Sequence, residues 1–158
     1  MQTLDLSAID IASFVTKFCA LNNYFINITK LQKLVYCCYG VVLAAQDTRL
    51  CREHPKTWAH GPVFTKIYKA QTLHQGVIEF LLDYNSKPIP SETKDLVVET
   101  LDVFVKYNAG QLVRWSKQSD GPWKSDVTAN GYFHKMDDMK IKNYFEKTLL
   151  KKVKCNLK

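Results

Sequence analysis

The chain lacks the features that mark several protein classes. Its charge-free helical run, 34–45, is twelve residues long, well short of the roughly 20 apolar residues that a membrane-spanning helix needs. That run reads as a buried helix, and no membrane partner is expected. No internal repeat, low-complexity stretch or long linker divides the 158 residues, so one domain over 1–158 is expected. There is no GxSxG, Walker loop, GxGxxG after a strand, HExxH or paired-carboxylate motif, which leaves an enzyme reading little to rest on. No cofactor and no metal are expected. Cysteines number five, Cys19, Cys37, Cys38, Cys51 and Cys155. An odd count with two adjacent, and no secretory leader ahead of them, argues against a disulfide framework and suits a reducing cytoplasm.

Acidic residues are nearly missing from the C-terminal stretch. Residues 140–158 hold seven lysines and one acid, Glu146, and so carry most of the net charge of +7. A basic C-terminal helix or tail of this kind is either a solvated helix face or a contact for nucleic acid or another anionic surface. The lysines lie opposite an apolar stripe without interleaved aromatics, which favours the solvated face.

What is present is mainly helical periodicity. Ser7 precedes Ala8, Ile11, Ala12, Val15, Phe18 and Cys19 at one-sided helical spacing, with Asp10 placed to close a capping box. A second helix is expected over about 30–46, opened by a Thr29 and Gln32 capping box. It is apolar on both faces, through Leu31, Leu34, Val35, Cys38, Val41 and Val42 and through Tyr36, Cys37, Tyr39 and Leu43, so it is expected at the centre of the fold. Gly40 within it points to a close approach by a neighbour, since glycine costs about 1 kcal/mol there relative to alanine. The segment 49–59 allows a short β-hairpin of Leu50-Cys51 with Thr57-Trp58 around His54-Pro55. Gly61-Pro62 then predicts a third helix with proline at its first position, and Val77 to Leu82 reads as extended within a loop-rich stretch, 75–90. Ser91 is expected to cap a fourth helix, Asn108-Ala109-Gly110 to stop it, and a short helix to follow at 112–117. Asp120-Gly121-Pro122-Trp123 reads as a turn with an anchored tryptophan, and a last helix opens near Asp137-Asp138. The expectation is a mainly α, compact single-domain bundle around one central buried helix.

The motifs LQKLVY at 31–36 and WAHGPVFTKIYKA at 58–70 resemble those of the Panacea antitoxin domain, which includes SocA-like and GepA-like prophage-associated proteins. The resemblance extends from Ile11 to Phe145 and takes in Gly121-Pro122-Trp123 and Tyr144-Phe145. It departs at Ser116-Lys117, where members commonly show Ser/Thr-His. Leu31, Gln32, Leu34, Trp58, Gly61, Pro62, Tyr68 and Pro122 carry the motifs. The resemblance implies a bacterial or prophage toxin–antitoxin protein, a binding module that neutralises a cognate toxin by direct contact. Two alternatives stay open: an adaptor that hands its toxin to an ATP-dependent protease, as SocA-like members imply, and a nucleic-acid-binding autoregulator acting through the basic C-terminal helix.

Lys33, Tyr36, His60, Trp123 and Lys124 are the candidate partner contacts, because they carry or flank the motifs and offer polar or aromatic edges. The loop-rich stretch and the basic tail are expected to form a variable rim. His60 also invites a general-base reading, with Cys51 and His54 close in sequence, but no orienting carboxylate sits at a defined spacing. A histidine at such a corner more commonly bonds a backbone group and fixes it. Cys51, His54 and His60 lack the second Cys/His pair of an ordinary zinc site. Trp58 is expected in the core, while Trp123 fits core or interface equally.

Overall fold

The computed structural model describes residues 1–149. In chain order, the elements are β1 Gln2–Thr3, α1 Ala8–Leu21, α2 Ile28–Gln46, β2 Thr48–Arg49, β3 Lys56–Trp58, β4 Gly61–Val63, α3 Thr65–Leu73, α4 Val77–Asp83, α5 Ser91–Phe104, α6 Ala109–Ser116, α7 Pro122–Asn130 and α8 Asp138–Thr148. The fold is mainly α, as expected, with α2 at its centre and α1, α5, α6 and α8 packed around it.

Helix α2 is buried from Lys30 to Ala44, because an apolar surface on every side of a helix is stable only when other elements enclose it. Among the described residues it is the one helix long and apolar enough to cross a membrane, and 83% of its apolar window is buried inside the protein. Its start differs from the expected Thr29 and Gln32 box. Asn27 is the cap, accepting from the Lys30 amide at 2.9 Å, and Gln32 is used elsewhere. At the other end, Asp47 takes the left-handed conformation at φ 50°, which releases the chain into β2. Helix α1 has the expected capping box, with Ser7 and Asp10 each accepting from the other's backbone amide.

The β structure departs from expectation. Thr48 and Arg49 pair in parallel with Gln2 and Thr3, and the hairpin lies later, Lys56–Trp58 against Gly61–Val63. Gly61-Pro62 therefore belongs to a strand, and α3 begins at Thr65. Proline fits there because a two-strand ribbon leaves one edge without hydrogen-bonded neighbours. Val77 to Asp83 is a helix whose Leu81 is buried, so the segment expected as extended is helical and is tied to α1. Ser13 donates to the Leu81 carbonyl at 2.7 Å, Lys17 to that of Tyr84 at 2.7 Å, and Asp10 accepts from the Lys87 amide at 3.0 Å. Asn108, expected as a stop, caps α6 through a reciprocal box with Gln111. Pro90, in place of Ser91, is the N-cap of α5. Pro122 occupies the first turn of α7, so the expected turn is a helix start. Asp137 caps α8, and that helix is the described part of the basic stretch. The remaining lysines of the tail, at 151, 152, 154 and 158, lie outside the described residues.

Two contacts fix α8 on α2. The Phe145 ring occupies the space above Gly40, so a Cβ there would collide with it. The second is a polar knot around Asp138, whose side chain is 8% exposed. Tyr39 donates to its Oδ1 at 2.6 Å, Arg49 Nε to its Oδ2 at 2.5 Å, and His54 Nδ1 lies 3.4 Å from Oδ2. Burial alone would raise the Asp138 pKa, but the hydrogen bonds from His54, Tyr39 and Arg49 outweigh it and hold the carboxyl below its ordinary value.

Because a Cβ at Gly40 would collide with the Phe145 ring, the overpacking cost exceeds the about 1 kcal/mol of helix propensity gained, and Gly40→Ala is expected to lower stability in urea unfolding by a net of about 1–2 kcal/mol. A variant as stable as the wild type would contradict the close approach. Asp138→Asn is expected to cost about 2–3 kcal/mol at neutral pH, since it removes charge-assisted bonds from a largely buried site. Because the folded-state pKa is depressed, this stabilisation is present above the unfolded value near 4 and fades as pH falls below it. Stability measured from pH 7 to pH 3 should therefore fall less steeply in Asp138→Asn than in the wild type; parallel curves would refute the assignment.

Candidate docking groove

The two sequence motifs meet through side-chain bonds. Gln32 on α2 accepts from the Phe64 amide at 2.9 Å and donates to the Phe64 carbonyl at 3.1 Å. One turn position on, Lys33 donates from Nζ to the Pro62 carbonyl at 3.1 Å. The LQK segment thus grips the backbone of the GPVF segment. Leu31 and Leu34 on the same helix are fully buried and hold it in the core. Gly61 has φ +104°, a conformation that a side chain disfavours, and a Cβ there would come within 2.9 Å of Lys33 Cε. Glycine at 61 therefore permits both the strand entry and the approach of the lysine.

The hairpin places Trp58 above this grip. Its ring packs edge-on against Tyr68 of α3, with centroids 4.7 Å apart, and against Phe133, 5.5 Å away. Trp123 is buried in the core at 3% exposure, and its indole N–H donates to the Trp58 carbonyl at 3.0 Å. Trp58, expected in the core, lies nearer the surface, and of the two places open to Trp123 the structure gives the core. Trp123 is the core anchor, with Pro122 buried beside it, whereas Trp58 is only partly buried. The reason is the strand: Trp58 sits on a two-residue hairpin at the surface, while Trp123 is on the inward side of α7.

Together these residues form a groove of about 400 Å³, lined by Ile28, Gln32, Lys33, Trp58, His60, Tyr68 and Phe133 among others. Tyr68 is 41% and Phe133 67% exposed, so aromatic surface is presented to solvent here. At Lys33 the groove reaches a side chain only 1% exposed. Among the described residues no carboxylate pairs with it, and burial lowers its pKa to about 8, an effect that neighbouring Cys37 opposes and Lys117 reinforces. An ammonium held this way favours an incoming acceptor or carboxylate. The Trp58 indole N–H is buried without a hydrogen-bond partner among the described residues.

Of the five candidate contacts, the structure brings Lys33 and His60 to the groove. His60 is exposed in the hairpin turn, and the glycine conformation and the Gln32 and Lys33 bonds, in place of the expected histidine bond, fix the corner. Tyr36 is 1% exposed, packed against Trp115 and Phe145, and Trp123 is in the core, so neither presents a free face to a partner. Lys124 is exposed on α7 and does not line the groove. Phe133 was missed, although Asn130-Gly131 marks a turn before it. Its φ of 64°, uncommon for an aromatic residue, turns the ring toward Trp58. Cys51 is buried and its Sγ donates to the Glu53 carbonyl at 3.5 Å, while His54 joins the Asp138 knot. No group of His, Cys, Asp or Glu suited to a metal ion is found among the described residues.

Lys33→Met is expected to be at least as stable as the wild type at pH 7, because it removes a buried charge of nearly matched volume. The Lys33 pKa is lower in the folded chain than in the unfolded one, near 10.4, so wild-type stability should rise relative to the variant between pH 8 and pH 10. The gain is roughly 2–3 kcal/mol. Parallel pH profiles of the two proteins in denaturant unfolding would show that Lys33 is solvated. Comparison of the chain with protein-family models, with curated proteins and with solved structures finds no match.

Proposed function

We propose that this chain is an antitoxin-type binding module that neutralises a cognate toxin by direct contact, with the Trp58 groove as the docking site. The observation that carries the site is the convergence of both motif segments on one groove with exposed aromatic walls. The antitoxin class itself rests on the motif resemblance. Binding energy at protein interfaces concentrates in a few aromatic anchors surrounded by contacts that exclude water, and Trp58, Tyr68 and Phe133 are arranged as such anchors on a rigid helical base. Lys33 adds a preference for a carboxylate or carbonyl at the inner end. Catalysis has no part in this reading.

The test is co-expression with the toxic product of a neighbouring gene. The wild-type chain restores growth, and purified chain inhibits the toxin at stoichiometric amounts without protease or ATP. Tyr68→Ala/Phe133→Ala, altered only at exposed positions, keeps its helical circular dichroism and loses at least tenfold in toxin affinity, equivalent to about 1.4 kcal/mol. Neutralisation that needs protease and ATP would replace this reading with the adaptor. Unchanged affinity of the double variant would move the interface away from the groove.

A further inference from the structure

Helix α3 has a second cavity on its other flank. With about 100° between successive helical residues, Thr65, Lys66 and Lys69 face away from the groove residues Tyr68 and Gln71. They line a cavity of about 440 Å³ together with Glu53, His54, Lys56 and Lys135, a volume in the range of small-molecule sites. Four lysines thus share one concave space with a single carboxylate.

That carboxylate is already committed. Glu53 Oε2 accepts from the Ala8 amide at 2.7 Å, and Oε1 pairs with Lys66 at 3.1 Å. Among the described residues no carboxylate pairs with Lys56, Lys69 or Lys135, whereas lysines elsewhere on the chain, such as Lys87, Lys140 and Lys142, do have such partners. The clustering is held in place by the backbone: Lys56 and Lys135 are bridge partners between β3 and the segment before α8. Like charges held together without counter-charges repel one another, and an anion entering the space relieves that repulsion. His54 closes the cavity, its Nδ1 held near the Asp138 carboxylate and the Tyr39 hydroxyl at 3.4 Å each. Its ring orientation is therefore fixed by the same knot that fixes α8.

We infer that this cavity binds a small multiply charged oxyanion, of the class of pyrophosphate or the phosphate chain of a nucleoside polyphosphate, through Lys56, Lys66, Lys69 and Lys135. Two features favour a compact phosphate chain over a nucleic acid strand. The lysines converge in a concavity, with no track along a surface, and no exposed aromatic lines the space for base stacking. The site is separate from the docking groove and does not depend on the antitoxin reading.

The full chain is titrated calorimetrically with pyrophosphate, ATP, sulfate and a single-stranded oligonucleotide. Pyrophosphate and ATP give saturable one-to-one binding, and sulfate binds more weakly. Lys56→Gln/Lys69→Gln loses about tenfold or more in affinity, the scale of two charge-assisted contacts, while Lys94→Gln/Lys147→Gln, which alters exposed lysines outside the cavity, binds as the wild type does. All four positions are solvent-facing or only partly covered, so folding is retained and is checked by circular dichroism. Absence of saturable binding by pyrophosphate and ATP overturns the inference. So does equal loss in both double variants, which reports diffuse attraction to a basic protein, and so does oligonucleotide binding tighter than that of pyrophosphate and ATP and lost in Lys56→Gln/Lys69→Gln, which assigns the cavity to a nucleic acid strand.

Discussion

The fold depends on the polar grip that its most buried helix exerts on a short strand. Helix α2 is enclosed along nearly its whole length, yet at 32 and 33 it carries a glutamine and a lysine. Both face the strand β4 and the turn into α3, and both reach backbone groups about 30 residues downstream. Burying polar groups is costly unless each finds a partner. Gln32 satisfies both ends of its amide on Phe64, whereas Lys33 is left with one carbonyl. The first bond is structural and fully matched. The second leaves capacity for another acceptor, so the element that fixes the hairpin also gives the adjoining groove its polarity.

This arrangement explains why part of the molecule was legible in the sequence and part was not. The central helix followed from its residues, because a helix apolar on both faces has few alternatives to enclosure, and Gly40 pointed to a close approach by some neighbour, which the structure identifies as Phe145. Ser7 with Asp10 and Asp137 before α8 were readable because capping is local chemistry. The segment 56–63 was misread because its conformation is set from a distance. Gly61-Pro62 resembles a helix start locally, but its pairing with Lys56–Trp58, flanked by the Lys33 bond to Pro62 and the Gln32 bonds to Phe64, makes it a strand. Short apolar runs such as 77–82 fit either period, and tertiary packing of Leu81 under Ser13 selects the helix. The capping role expected of Gln32 failed for the same reason, since a long-range partner won over a local one.

The candidate site was legible as a set of motifs but not as a surface. Lys33, Trp58, His60 and Tyr68 came from the motif segments, and the structure gathers them. Phe133 and the lysine-lined cavity come from parts of the chain far apart in sequence, joined by the bridge of Lys56 with Lys135 and by the knot around Asp138. Charge counting drew attention to the C-terminal stretch, while the clustered charge within the described residues lies beside α3. The two concavities flank the same helix, one aromatic and one cationic. The occupants proposed for them are, respectively, a protein segment with apolar anchors and a small anion.

The face built by the α2 grip is the proposed surface for a partner protein. Hydrogen–deuterium exchange of the full chain, free and bound to the proposed toxin, is the test. Protection gained on binding is expected at 58–71 and around 132–133, with the amides of α5 unchanged. Protection confined to other surfaces, with 58–71 exchanging as in the free chain, would contradict it.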